Sequence, residues 1–600
     1  MDIRRIEAEP SNEERQAIDA LLGPPQSAWD GGARGSLRDA HVATVGGAGT
    51  RALRHRLLPA LQALQGRVGW ISEGGLGYVC DRLNVPPADA WGVATFYALL
   101  ATSPRPARVV HVCDDIACKC RGADELIAQL APSEAWHRSP CLGMCDQAPA
   151  AYVTIAGEHP QEIQLGRMTA EIVGQAFRSD FVAQSFRPAI RQPFPDLHLL
   201  RRVGRVDPTS LDAYRAARGF EALAKARAMG ADAVIGEVTA SKLMGRGGAA
   251  FPTGRKWDAV RKESARPRYL ICNADESEPG TFKDRVLMEE DPFAVVEAMA
   301  IAAFAAGCED GYIYIRGEYP RAAARLHHAI DASRAAGLLD GFGIEIRRGG
   351  GAYICGEETA IFESIEGNRG EPRNKPPFPV QAGLFGKPTV VNNVETLANV
   401  PHIILDGAAA FASIGTPQST GTRLFCLSGN VQHPGIYEAP FGVTLRAVID
   451  MAGGPHAGRT LRAVLLGGAA GTFVRPDELD LKLTHEDTRI AKTTLGSGVI
   501  MAIDDSVDLN DIVLRIASFF RDESCGQCVP CRVGTIRQEE ALHRIARGAN
   551  GRLATELALL EDVGAAMKDA SICGLGQTAY SAIESAIKRL RLYDSPPARP

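Results

Sequence analysis

At 600 residues the chain exceeds the roughly 250–300 residues at which one hydrophobic core stops growing, so several domains are expected. Hydrophobic residues at 45%, charged residues at 23% and a formal net charge of −5 are ordinary for a globular protein and leave no basic excess to attract nucleic acid. The longest apolar run, Pro292 to Cys308, is shorter than the ~20 residues of a membrane span and carries Glu297, so it reads as a buried helix; with no apolar signal region after the N-terminus, a cytoplasmic protein is expected.

In chain order, residues 1–50 lack periodicity and read as a flexible tail. Residues 51–105 repeat apolar positions at helical spacing, broken by Pro86-Pro87, which predicts a small helical bundle. Residues 106–180 run strand (ARVVHVC), helix (GADELIAQL) and strand (AAYVTI) with cysteines in the loops, a thioredoxin-like α/β unit. Pro188, Pro193 and Pro195 mark a linker over 181–225. Between 226 and 415, strands RYLICNA, GYIYIRGEY and FGIEIRRG alternate with helical patterns, predicting a Rossmann-like, mostly parallel sheet. Residues 416–505 read as a small ubiquitin-like α+β module, 506–594 as a C-terminal helical bundle, and 595–600 as a tail. The fold class is therefore multidomain α/β and α+β.

Fourteen cysteines in a large, cytosolic-looking chain do not suggest a disulfide framework, and eight of them fall into two constellations. Cys525-x2-Cys528-x2-Cys531 crowds three soft thiolates into one loop, in the manner of a cubane cluster, and leaves one ligand position for the distant Cys573. Cys113-x4-Cys118 with Cys141-x3-Cys145 fits a 2Fe–2S site, with zinc as the bland alternative for both sets. The other six, Cys80, Cys120, Cys272, Cys308, Cys355 and Cys426, read as small hydrophobes, Cys120 being the odd one because it lies beside Cys118.

Three loops of the 226–415 region carry further chemistry. Gly245-Arg-Gly-Gly-Ala-Ala-Phe-Pro-Thr-Gly-Arg-Lys-Trp257 sets glycines and basic side chains at a helix start, where backbone amides can approach a phosphate; the stretch before it reads helical, so the strand of a dinucleotide fingerprint is missing. Asn273-Ala-Asp-Glu-Ser-Glu-Pro-Gly280 follows a strand and presents three carboxylates able to bond ribose hydroxyls or flavin-ring NH groups. Gly349-Gly-Gly-Ala-Tyr-Ile-Cys-Gly-Glu-Glu-Thr359 again sets glycines, an aromatic and paired acids after a strand.

Together with KPPFPVQAGLFGKPTVVNNVETL and ESCGQCVPCR, these motifs resemble the NADH-oxidising flavoprotein subunit of respiratory complex I over about Phe220 to Lys588. Arg51 to about Arg178 is similar to its 24-kDa-type partner, so the chain looks like a fusion of two subunits. The resemblance implies FMN, NAD, one 4Fe–4S and one 2Fe–2S cluster, and hydride transfer between nicotinamide and flavin. It implies that Gly245, Arg246, Gly247, Gly248, Lys256, Asn273, Asp275, Glu276, Tyr353, Gly356, Glu357, Glu358, Asn392, Asn393 and Thr396 hold FMN. It implies too that Phe251, Phe378, Glu278 and Lys375 line the NADH side, with Glu278 and Glu358 near the nicotinamide. Ala250 stands where the family has glycine, and Ala259 where it has a second aromatic. Such fusions are diaphorase subunits of soluble enzymes. RDESCGQCVPCR and KDASICGLGQTA look most like the beta subunit of NAD-dependent formate dehydrogenase, which implies a partner alpha subunit carrying a molybdenum or tungsten pterin and further iron–sulfur clusters. NAD-reducing hydrogenase and fused complex I subunits are the alternatives, and a non-catalytic iron–sulfur or zinc scaffold is the reading from another class.

Overall fold

The computed structural model describes residues 8–25, 53–133, 135–178, 190–191, 197–548 and 551–594. The first surprise lies inside the expected tail. Asn12–Leu22 is a helix, opened by a capping box in which Ser11 and Glu14 satisfy each other's backbone amides, and Ile18 seals it into the bundle core. The bundle continues with Leu57–Val68, Glu73–Leu83 and Pro87–Ala94, stapled to the first helix by the Tyr78 hydroxyl on Asp19 (2.7 Å).

The second module is a four-stranded sheet in the order β2-β1-β3-β4, with β1 Arg108–Cys113, β2 Trp136–Ser139, β3 Ala150–Ile155 and β4 Gln161–Gly166. Only β1 and β2 run parallel; β3 pairs antiparallel with both β1 and β4. Val110, Val112, Ala151 and Val153 form its core with Leu126 and Val173 of two short helices.

The prolines expected to mark the linker lie outside the described residues, apart from a two-residue strand, β5 (Ile190–Arg191). From residue 197 the expected linker is folded. Leu199 and Leu200 are buried, and helices Leu211–Ala216 and Glu221–Met229 pack on the next domain. Glu297 explains why: the one charge in the apolar helix Pro292–Ala306 accepts from the Tyr214 hydroxyl (2.5 Å) and the amides of Phe220 (2.9 Å) and Leu223 (3.1 Å). A buried carboxylate so satisfied anchors the segment instead of destabilising the helix.

The central domain holds a parallel sheet in the order β8-β7-β6-β9, with β6 Tyr269–Ala274, β7 Asp310–Ile315, β8 Gly343–Arg348 and β9 Thr389–Asn393. The chain runs outward from β6 through β7 to β8, then returns to add β9 on the other side of β6. The topological switch point therefore falls between β6 and β9, whose Asn273 and Asn393 are in register at the carboxyl ends, where an α/β sheet offers its ligand crevice.

The following module is a mixed sheet, β13-β12-β14-β10-β11-β5, with β10 Thr422–Gly429, β11 Gly435–Pro440, β12 Leu461–Leu466, β13 Thr472–Val474 and β14 Val499–Asp504. Helix Leu445–Met451 covers its core. The chain ends in a helical bundle: Leu509–Asp522, Val529–Ala546, Leu553–Ala570, Gly574–Thr578 and Ser581–Lys588. No helix among the described residues is long and apolar enough to cross a membrane.

Candidate functional site

The glycine loop is closed at its base by a bridge between Met244 and Pro252 and by the Gly245 amide on the Phe251 carbonyl (2.9 Å). It opens directly into helix Thr253–Lys262, with helix Ala231–Ala240 and not a strand before it. Trp257, fully buried on that helix, donates Nε1 to Asn392 Oδ1 (2.8 Å) and so fixes the loop against the end of β9. Gly248 takes φ +115, and a Cβ on Gly247 would press on Asn393 at 3.1 Å, so the loop needs glycine at both positions to lie this close to β9. Ala250 itself adopts a left-handed φ of +50, the conformation that glycine takes more easily.

Arg246 departs from expectation. Its amide bonds Thr396 Oγ1 (2.8 Å), but its guanidinium turns away from the crevice, donates to the carbonyls of Thr420 (2.8 Å) and Thr422 (3.3 Å), and stacks over Phe441. Its side chain is thus a buried strut between the central domain and the following module, not a counter-charge for a phosphate. Glu276 is likewise engaged elsewhere, accepting from the amides of Asp284 and Arg285 (both 2.9 Å) at the start of helix Lys283–Glu290. Burial pushes its carboxyl up to about 8.

The remaining predicted residues converge. Asn273 donates to the Gly356 carbonyl (2.8 Å), tying the acidic loop to the third loop. A Cβ on Gly356 would sit 3.3 Å from Asp275 Oδ2, a buried oxygen with no partner within the protein. Burial holds the Asp275 carboxyl well above the usual carboxylate range. Asn393 caps helix Val394–Ala398 through the amides of Glu395 (3.0 Å) and Thr396 (3.4 Å), and its Nδ2 reaches Asp284 (2.7 Å). At the mouth, Lys256 donates to Glu358 (3.3 Å), while Lys375 donates to Glu358 (2.9 Å) and Glu357 (2.8 Å). Burial opposes the Glu358 charge, but the two lysines hold its carboxyl below the usual range. Phe251 and Phe378 stand beside this string with 48% and 53% of their surface exposed, which is unusual for large aromatics unless something else covers them.

Glu278 is where separate modules meet. It accepts from the Tyr353 hydroxyl (2.5 Å) and from the Ala470 amide (2.8 Å), and the turn Gly467–Gly471 wraps it so tightly that a Cβ on Gly468 would collide with it. Burial outweighs these donors and raises its carboxyl to about 7. On the other side, the Tyr353 amide donates to Glu523 (2.7 Å), and the Tyr353 ring lies 5.1 Å from that of Phe519. Neither Ala470 nor Glu523 was expected. The Gly-Gly-Ala-Ala-Gly run after β12 carried a signal of a tight turn, but nothing local in the sequence aims it at residue 278.

Both cysteine sets border this crevice. Cys113 is hydrogen-bonded to Cys118, and Cys141 Sγ lies 3.4 Å from Cys145 Sγ, all four buried: a two-and-two arrangement that fits a centre of two irons with a pair of thiolates each. The Gly280 amide, at the end of the acidic loop, hydrogen-bonds the Cys141 thiol. In the second set, burial first and then the neighbouring sulfurs of Cys528, Cys573 and Cys525 push the Cys531 thiol up to about 12, which places all four together. Cys573 in turn senses Glu357, and Arg369 donates to the Cys525 carbonyl (3.2 Å). No three His, Cys, Asp or Glu side chains among the described residues converge on a single ion position. Thiolates that grip a multi-iron core stand around it instead of meeting at one point. Cys120 joins neither set; burial pushes its thiol up to about 12 and its carbonyl accepts from Asn430 (3.0 Å).

Comparison with known families accounts for most of the chain. Residues 238–402 match the Nuo51 FMN-binding domain, 511–592 the iron–sulfur binding region of NADH-ubiquinone oxidoreductase-F, 48–172 the thioredoxin-like 2Fe-2S ferredoxin, and 424–469 the SLBB domain. Over 403 residues the chain is 45% identical to a NADH-quinone oxidoreductase subunit of Rhizobium meliloti, covering 66% of this chain and 95% of that one. It is 45% identical over 400 residues to NADP-reducing hydrogenase subunit HndC of Solidesulfovibrio fructosivorans, covering 64% and 80%. Among solved structures, a chain of the air-oxidised NAD+-reducing NiFe-hydrogenase superposes with a TM-score of 0.76 at 33% identity, over 91% of this chain and 94% of that chain.

Proposed function

The chain belongs to the family of NADH-quinone oxidoreductase subunits built on the Nuo51 FMN-binding domain, here fused to a thioredoxin-like 2Fe–2S module, and on that premise we propose that it is the diaphorase subunit of an NAD-dependent formate dehydrogenase. Electron exchange between NAD(H) and iron–sulfur centres through FMN is the family's chemistry. The observation that carries the assignment to this crevice is Tyr353, whose hydroxyl meets Glu278 at the NADH side while its amide meets Glu523, two residues before Cys525.

When bound, FMN supplies the conversion of a two-electron hydride into single electrons that iron–sulfur clusters carry. The protein's part is placement. The amides of Gly247 and Gly248 and the side chains of Asn392 and Thr396 would hold the phosphate end, with the Gly245 amide closing the loop on Phe251 and Asn393 fixing the start of helix Val394–Ala398 beneath it. Asp275, whose Oδ2 is buried and without a partner, would take the ring edge, and protonation of its carboxyl would let it accept or donate there. Phe251 and Phe378 would flank NADH, with Glu278, Glu358 and Lys375 around its nicotinamide end. Cys525, Cys528, Cys531 and Cys573 would hold the 4Fe–4S cluster, and Cys113, Cys118, Cys141 and Cys145 the 2Fe–2S cluster.

The formate reading rests on RDESCGQCVPCR and KDASICGLGQTA and on the intact first cysteine set. A hydrogenase reading is favoured by the likeness to the NAD+-reducing NiFe-hydrogenase chain across both halves of the molecule. The two readings share every residue of this crevice and differ in the partner: a molybdenum or tungsten pterin subunit in the cytoplasm for the first, a hydrogen-activating one for the second. Purification of the native complex and assay of NAD+ reduction with formate and with hydrogen separates them; activity with hydrogen alone reverses the assignment. A chain that binds no FMN and does not reduce ferricyanide with NADH would refute the diaphorase itself and leave the scaffold reading.

A further inference from the structure

Asp115 lies in the four-residue span between Cys113 and Cys118 and is buried. Its Oδ1 accepts from the Ile116 amide (2.7 Å) and its Oδ2 from the Cys141 amide (3.1 Å), so one carboxylate joins the two cysteine loops. The same Oδ2 accepts from Arg515 Nη2 (3.2 Å), which also pairs with Asp114 Oδ1 (3.1 Å), while Arg515 Nε donates to the Asp114 carbonyl (3.2 Å). Arg515 belongs to helix Leu509–Asp522, some 400 residues away in sequence and the element that leads into the Cys525 loop. Its side chain is 13% exposed. Burial opposes its charge, yet Asp115 and Asp114 hold it above the usual guanidinium value. A second arginine touches the cradle, Arg316 on the Cys141 carbonyl (2.6 Å), but Glu318 pairs with it at 2.9 Å and neutralises it in place.

We propose that Arg515, reaching across from the C-terminal bundle, raises the reduction potential of the 2Fe–2S centre, so that this potential belongs to the assembled chain and not to the thioredoxin-like module alone. The inference rests on the reading of Cys113, Cys118, Cys141 and Cys145 as the ligands. Reduction adds negative charge, and a cation held in a poorly screened interior favours the reduced form. Removing Arg515 also leaves buried Asp115 without its counter-charge and Asp114 with only the more exposed Arg138 (3.1 Å), which acts in the same direction.

The test is an EPR-monitored redox titration of the whole, cluster-loaded chain, with the 4Fe–4S signal in the same samples as reference. Arg515→Gln should lower the ratio of reduced to oxidised 2Fe–2S at fixed potential by about tenfold, equivalent to about 59 mV for a one-electron couple. Arg515→Lys, which keeps the charge, should stay close to the parent, and Asp114→Asn should shift the ratio upward. An unmoved Arg515→Gln midpoint, a Lys variant shifted as far as the Gln variant, or an equal shift of both clusters overturns the proposal. Should Arg515→Gln lose the centre, Asp114→Asn decides: an upward shift supports the proposal and none overturns it. A parent chain with no 2Fe–2S signal overturns the ligand reading and the inference with it, whereas a signal present but unmoved overturns the inference alone.

Discussion

Arg285 and Asp146 form an ion pair at 2.8 Å with both side chains fully buried, one on the flavin-binding domain and the other next to Cys145. Truncating one member of such a pair costs about 3–5 kcal/mol, because the other charge stays buried without compensation. Arg285→Met should be the more damaging single change, since Arg285 also offsets Glu289, whose carboxyl burial already pushes up. Asp146→Asn leaves the guanidinium with Glu289 and should cost less. The double variant should cost less than the sum of the two, as expected for residues in contact. At about 1.4 kcal/mol per tenfold, Arg285→Met should raise the opening constant of the joint by roughly two to three and a half orders of magnitude. Hydrogen exchange read by mass spectrometry on Cys141–Gln147 and on Gly317–Tyr319, the two sides of the joint, measures that opening. Exchange unchanged by Arg285→Met, or singles that simply add in the double variant, would show that the pair does not hold the modules together.

Three further outcomes are expected. Burial raises Glu278 to about 7, so NADH–ferricyanide activity should change through that pH and the change should shrink in Glu278→Gln, leaving what the raised carboxyls of Glu276 (about 8) and Glu523 (about 7) contribute; a profile that superposes on the parent's refutes the assignment. Because the Glu278 pKa is raised, the folded state holds the proton longer than the unfolded one, and the parent's stability relative to Glu278→Gln should fall as pH rises from about 4.5 to about 7. Gly248→Ala at φ +115 should strain the glycine loop by about 1–2 kcal/mol and weaken FMN retention about tenfold in a fluorescence titration, with the circular dichroism spectrum unchanged. Cys528→Ala should abolish electron delivery to the partner while leaving flavin reduction by NADH intact, and stopped-flow absorbance distinguishes the two.

What the sequence made legible was local. The cysteine sets, the glycine loop and the acidic loop are each contiguous, and their chemistry follows from spacing. The helix Asn12–Leu22 was missed inside a stretch read as a tail, although Ser11 and Glu14, three residues apart, carry the signal of a capping box. β9 was hidden inside a conspicuous motif, and with it the switch point that explains why Asn273 and Asn393 meet. Arg246 misled because a basic residue among glycines suggests a phosphate. Its direction is set by two carbonyls 174 and 176 positions onward and by Phe441 beyond them, which no local pattern encodes. Glu523 and Ala470 were invisible for the same reason: each acts on a residue whose position is fixed only when three modules have packed.

The joint around Gly143, Tyr319, Asp146 and Arg285 lies between segments that are covalently one chain, connected through residues 179–196. Because both faces belong to one polypeptide, their meeting is an intramolecular event that does not depend on the abundance of the protein in the cell. A weakened joint in this molecule would therefore reclose, showing as breathing and not as loss of the ferredoxin. Where the same two modules are separate polypeptides, each lost decade of affinity becomes dissociation at low expression. Fusion thus frees the interface to drift in sequence, so long as its open state remains brief compared with the interval between turnovers.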